Sequence, residues 1–154
     1  MYSNILISLI FIGLCACSSV PRNQQFGSGI ERAIGKESYT FFESTEKVSV
    51  VAVTRDGKDG YRVISEPKQL THDEVITLRG YLLKDSGYQF ERRKKCVFVP
   101  EYAYRFQGKN KEMVVLVSFS CPQIKVLLNQ HAVTIDNDPI AAEMEAFTKT
   151  IMNK

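Results

Sequence analysis

Two segments after residue 95 carry the clearest alternation in the chain. Cys96, Phe98, Tyr102, Tyr104 and Phe106 occupy even positions, with Pro100 among them. After residues 107–110 (QGKN), Met113, Val115, Val117, Phe119 and Cys121 occupy odd positions. A period of two marks a strand with one apolar face. Joined by a four-residue loop, the runs predict a hairpin. It pairs Cys96 with Cys121, Phe98 with Phe119, Tyr102 with Val115 and Tyr104 with Met113. Arg105 then faces Glu112 on the polar side, a favourable cross-strand pair. A slip of one residue would turn every apolar side chain to the other face. Pro100 cannot donate to a ladder, which suggests an edge strand or a bulge.

The rest of the chain reads as alternating strand and helix signals. Residues 47–54 (KVSVVAVT) are rich in valine. Residues 55–60 (RDGKDG) hold two Asp-Gly steps, and residues 61–66 (YRVISE) return before Pro67. This is a second hairpin. Thr71, His72, Asp73 and Glu74 form a capping box, flanked by Leu70 and Val75 as a hydrophobic staple. Val75, Leu78 and Leu82 recur at helical spacing, with Ile76 and Leu83 widening the face. They predict a helix over 72–85, stopped by Gly87. Residues 88–95 (YQFERRKK) form a charged connector, and residues 123–128 and 131–135 are further short strands. Asp138 is placed as an N-cap with Pro139 at the first helical position. Ile140, Met144, Phe147 and Ile151 then trace one face of a C-terminal helix. Glu143 and Glu145 early, and Lys149 and Lys154 late, complement its dipole. The order predicts an α+β domain, with two helices packed on an antiparallel sheet of four to six strands.

Composition narrows the class without changing that picture. Of 154 residues, 44% are apolar and 24% charged, with net charge +3. A disordered chain would be less apolar, and a polytopic membrane protein would need several apolar runs of about 20 residues. No internal period suggests a repeat array.

The N-terminus differs from everything after it. Residues 5–17 (ILISLIFIGLCAC) form an apolar run too short to cross a bilayer of about 30 Å, but of the length of a signal-peptide core. Residues 1–16 carry no charged side chain, whereas a secretory n-region normally carries Lys or Arg. Leu14, Cys15, Ala16 and Cys17 resemble a bacterial lipobox, with Leu at −3, Ala at −1 and Cys at +1. Cys15 at −2 is a less usual residue there. The resemblance implies cleavage after Ala16 and attachment of a diacylglycerol to the Cys17 sulfur, with a further acyl chain on its amine. Two or three chains anchor stably, at about 0.8 kcal/mol per buried methylene. An uncleaved apolar helix and plain secretion are the alternatives. Ser18 is not the Asp that, in lipoproteins of double-membrane bacteria, retains the protein at the inner membrane. The outer membrane, facing the periplasm, is therefore expected. Residues 17–29 read as a flexible tether and 30–154 as the domain.

Discarding Cys15 and acylating Cys17 leaves Cys96 and Cys121. In an oxidising compartment a lone pair is expected to bridge. Such a bridge closes a loop of roughly 25 residues and stabilises by about 3 kcal/mol in the chain-entropy model. Two buried free thiols are the alternative. The pattern C-x-F-x-P at 96–100 followed by F-x-C at 119–121 resembles uncharacterised bacterial proteins, a likeness that supports the hairpin and implies no activity.

Candidate chemistry is sparse. Ser44 and Lys47 match S-x-x-K, but the companion motifs S-D-N and K-T-G are absent. His72 and His131 lack metal-ligand spacing and read as surface residues. Asp56, Gly57, Asp59 and Gly60 resemble part of a calcium loop, but Lys58 stands where a ligand is needed. Asp136, Asn137 and Asp138 read as a turn into a helix cap. Arg92, Arg93, Lys94 and Lys95 form a basic run suited to anionic head groups at about 1 kcal/mol per charge, or a solvated loop. No metal, no cofactor and no nucleic-acid partner are expected. The chain reads as a membrane-anchored binding or structural module with an envelope protein partner. An envelope inhibitor or immunity-type protein is second, and a small enzyme third.

Overall fold

The computed structural model describes residues 28–57, 60–92 and 94–154. Cys17, Lys58, Asp59 and Arg93 lie outside them. One antiparallel sheet runs β2–β1–β4–β5–β6–β7, with a two-residue strand β3 also paired to β1. Four helices, α1 to α4, cover one face of it, and their apolar residues join the strands' in a single cluster.

β1 (Val48–Asp56) turns into β2 (Gly60–Val63). Gly57 sits in the left-handed region at φ 66°, where a side chain is strained. β2 and β3 (Lys68–Gln69) share one edge of β1. Between them the Ser65 hydroxyl accepts from the Ala52 amide at 2.8 Å, filling a missing rung. α3 (His72–Leu82) opens on the expected capping box and buries Val75, Leu78 and Leu82. It ends three residues earlier than predicted. A single 3₁₀ turn, Asp85–Gly87, follows, and a Cβ on Gly87 would lie 2.9 Å from Ile140 of the last helix.

β4 (Tyr102–Gln107) and β5 (Glu112–Ser118) form the predicted hairpin two residues out of the predicted register. Tyr102 pairs with Val117, Tyr104 with Val115 and Phe106 with Met113. The loop is residues 108–111. A shift of two keeps every side chain on its face. Arg105 opposes Val114, and reaches Glu112 diagonally through two hydrogen bonds of 2.7 and 3.2 Å. Residues 96–100 join no strand, so Phe98 does not pair with Phe119 in a ladder. β6 (Gln123–Leu128) and β7 (His131–Asp136) complete the sheet.

α4 (Asp138–Met152) starts one residue earlier than predicted. Its N-cap is Asn137, without a side-chain bond, and Asp138 is already helical. The Asp136 carboxylate accepts from the Asp138 amide at 2.9 Å and does the capping work instead. Two helices were not anticipated: α1 (Gly29–Ile34) and α2 (Lys36–Ser44). Ser28 caps α1, and the Asp85 carboxylate accepts from the Gly29 and Ile30 amides at 2.7 and 2.9 Å. Arg79 donates to the Phe42 and Thr45 carbonyls at the end of α2.

The core on the helix side is dense. Tyr104, Phe106, Met113 and Val115 are fully buried against Ile30, Leu78 and Met144. Phe42 meets Phe106 edge-on with ring centroids 5.0 Å apart. The Tyr104 and Thr148 hydroxyls bond at 2.6 Å, and Thr148 also donates to the Met144 carbonyl at 2.6 Å, so both buried hydroxyls are satisfied. Burial pushes the Tyr104 hydroxyl's pKa up.

Candidate functional site

The other face of the sheet carries a second, smaller cluster: Val51, Val53, Ala103 and Leu116, with Tyr61, Phe98, Val114 and Leu127 at its margin. No helix contributes to it. Its cover is a strap, residues 96–100, which lays Phe98 on the sheet and leaves Val97 and Val99 exposed. Beneath the strap a cavity of about 230 Å³ reaches Arg55, Lys125 and Thr134.

The strap is fastened at one end by covalent chemistry. Cys96 and Cys121, 25 positions apart in sequence, form a disulfide with their Cα atoms 6.0 Å apart. Cys96 is exposed and Cys121 buried. The bridge therefore joins the strap to the β5–β6 turn, not two paired strands. Glu101 steadies the same turn by accepting from the Phe119 and Ser120 amides, both at 2.8 Å.

The basic run just before Cys96 fastens it a second time. Lys94 is 8% exposed, and Asp136, at the end of β7, is fully buried. The Lys94 ammonium lies 3.2 Å from Asp136 and 2.5 Å from Asp138, and donates to the Pro122 carbonyl at 2.7 Å. Arg92 bonds Asp138 at 3.3 Å and Gln89 at 3.0 Å, and its Nε is 3.9 Å from Asp136. Two of the four residues read as a basic surface thus contact carboxylates, Lys94 turned inward and Arg92 with most of its side chain still exposed. Lys95 is exposed. The carboxylates were the part missed: Asp136 and Asp138 read locally as a turn and a cap, and no short-range signal ties them to a lysine more than 40 residues earlier. Asp136 Oδ2 and Asn137 Oδ1 are buried without a hydrogen-bond partner among the described residues.

The remaining sequence candidates are dispersed. Ser44 donates its hydroxyl to the Thr40 carbonyl at 2.8 Å, an ordinary helical back-bond. His72 starts α3 and His131 starts β7, both exposed. Asp56 ends β1 at the surface. Among the described residues, no group of three or more His, Cys, Asp or Glu is placed to hold a metal ion.

A third feature lies along the outer edge of β7. A groove of about 800 Å³ runs there, between α1 and the turn at residues 89–92. Phe90 is 41% exposed on its wall. Comparison of the chain with family models, curated proteins and solved structures finds no match.

Proposed function

We propose that the chain is an outer-membrane lipoprotein, acylated at Cys17, whose domain is a periplasmic binding module rather than an enzyme. The anchor rests on the lipobox-like residues Leu14 to Cys17. The Cys96–Cys121 bridge is in keeping with an oxidising compartment, where such bonds persist. The observation that carries the binding role is the strap. It is fixed at both Lys94 and Cys96, yet turns Val97 and Val99 outward at 61% and 38% exposure. Exposed apolar side chains on a braced support are what a recognition surface needs. Lys95 and the exposed part of Arg92 are available to anionic head groups. Lys94 is taken by its carboxylates.

Membrane fractionation tests the anchor. The native chain is expected with the outer membrane, and Cys17→Ser in the soluble or inner-membrane fraction. Native chain recovered from the cytosol, or Cys17→Ser retained in the outer membrane, would overturn the reading.

A further inference from the structure

The strap crosses the sheet where the outer face changes character. Val51 pairs with Ala103, Ala103 with Leu116, Leu116 with Lys125 and Lys125 with Thr134, so these residues form one row from β1 to β7. Residues paired in this way share a face of the sheet. The row therefore runs from three apolar side chains to an ammonium and a hydroxyl. Burial falls along its second half: Leu116 is buried, Lys125 half-buried and Thr134 exposed. Phe98 packs on the apolar part. The cavity of about 230 Å³ lies at the change, lined by Phe98, Pro100 and Leu116 and by Lys125 and Thr134.

A cavity with one apolar half and one cationic half selects by charge and by size. Among the described residues, no Asp or Glu lines it. The Lys125 ammonium has no hydrogen-bond or ion-pair partner among them. Arg55 borders the same space, but its Nε donates to the Gly57 carbonyl at 3.0 Å, and it is not the cation assigned to a ligand. Lys125 and Thr134 each carry a donor, and a carboxylate has an oxygen for both. Size sets the rest of the molecule. An apolar cavity of about 150 Å³ holds a benzene ring, so this one has room for a ring or a short aliphatic chain plus one carboxylate. The roof is held by the Cys96–Cys121 bond and by Lys94, so the space is preformed and little ordering is left for binding to cost.

We propose that the cavity under the strap binds a small organic monocarboxylate, with its carboxylate on Lys125 and Thr134 and its apolar body between Leu116 and Phe98. The inference rests on the binding-module reading, whose ligand class it names, and does not depend on the lipid anchor.

The test is a titration of the oxidised full chain with benzoate, benzamide and benzamidine, which share a planar frame and differ in charge. Binding is followed by NMR shifts of assigned amides and methyls. Benzoate is expected to bind about tenfold more tightly than benzamide, with benzamidine weakest and the largest shifts at Phe98, Leu116 and Lys125. Acetate, the same anion without the ring, is expected to bind about tenfold more weakly than benzoate. Lys125→Met keeps an apolar stem without the charge, and should bring benzoate down to the level of benzamide while leaving benzamide unchanged. If that variant fails to fold, the order of the ligands on the native chain decides. Reducing the disulfide loosens the roof and is expected to weaken benzoate binding about fivefold. Five results would overturn the proposal: none of the ligands binds; benzamide or benzamidine binds as well as benzoate; Lys125→Met leaves benzoate unaffected; the shifts fall away from the strap, Leu116 and Lys125; or the reduced chain binds equally well. Shifts confined to the exposed Val97 and Val99 would strike the cavity and keep the strap's outward surface. Failure here with the native chain in the outer membrane would leave the anchor standing, and success here with a chain found in the cytosol would do the reverse.

Discussion

On the helix side of the sheet, Tyr104, Phe106, Met113 and Val115 lie under side chains from four helices. On the other side, Val51, Val53, Ala103 and Leu116 lie under a strap that contributes one ring, Phe98. The two faces are parts of the same strands, often neighbouring residues, and differ in what holds their cover. Burial of many large side chains, each worth about 1.5–3 kcal/mol, keeps the helices in place. The strap buries too little for that, and cross-links replace area: the Cys96–Cys121 bond and the Lys94 contacts with Asp136 and Asp138. A cover held by links is free to leave apolar side chains outside, which a cover held by burial is not.

The largest effect is expected on the helix side. Phe106→Ala removes a fully buried ring that Phe42 meets edge-on, and should cost about 3–5 kcal/mol, read as a lower denaturation midpoint in urea. A cost below about 1 kcal/mol would mean that this face is not the main core.

Next comes the strap. Reducing the disulfide, or the pair Cys96→Ser and Cys121→Ser, should cost about 3 kcal/mol. Hydrogen exchange should rise first at residues 96–101 and last in β4 and β5. Uniform loss of protection would show that the two faces are not separately held.

The buried cation is third. Lys94→Met leaves the buried Asp136 carboxylate with Arg92, 3.9 Å away, as its one cation among the described residues, for an expected cost of about 2 kcal/mol. The double variant Lys94→Met with Asp136→Leu should recover part of it, since an apolar pair replaces a buried charge without stranding its partner. A double variant that simply adds a second loss would instead assign Asp136 its main value as the cap of α4.

Acid separates the faces without mutation. Burial of Asp85 raises its pKa, but the Ile30 and Gly29 amides that its carboxylate accepts outweigh this and hold it below its ordinary value of 3.8. A depressed folded pKa stabilises fully above the unfolded value, and that stability is lost as pH falls through the folded one. Exchange in α1 should therefore accelerate below about pH 3.8, while the disulfide, which does not titrate, keeps Cys96 joined to the β5–β6 turn. The smallest effect belongs to Val97→Ser and Val99→Ser, each expected within about 0.5 kcal/mol, because both positions are exposed and neither belongs to a core cluster.

The sequence makes some of this legible and hides the rest for definite reasons. Alternation at Tyr102, Tyr104, Phe106, Met113, Val115 and Val117 identifies a hairpin and its inner face. It does not distinguish registers that differ by two, because both keep the same residues inside. The Arg105–Glu112 pair does not distinguish them either, since a diagonal contact satisfies it as well as a direct one. The capping box of α3 depends on four adjacent residues and was plain. α1 and α2 were not: Gly35 at φ 83° divides them, and Ile30, Ile34, Phe41 and Phe42 are too few on either side to show a period. The bridge between Cys96 and Cys121 followed from counting cysteines, but its geometry did not, because residues 96–100 fold across the sheet instead of extending β4. The Lys94–Asp136 contact joins residues whose neighbours give no hint of each other.

The proposed anchor and the braced strap together require a chain that is processed, acylated and bridged. The most direct measurement is the intact mass of the protein isolated from its native envelope and alkylated without reduction. The predicted result is a mass lacking residues 1–16, carrying acyl chains, with no alkylated thiol. An unprocessed chain with four alkylated cysteines would contradict both the anchor and the braced strap, and would return Cys96 and its basic neighbours to a reducing compartment.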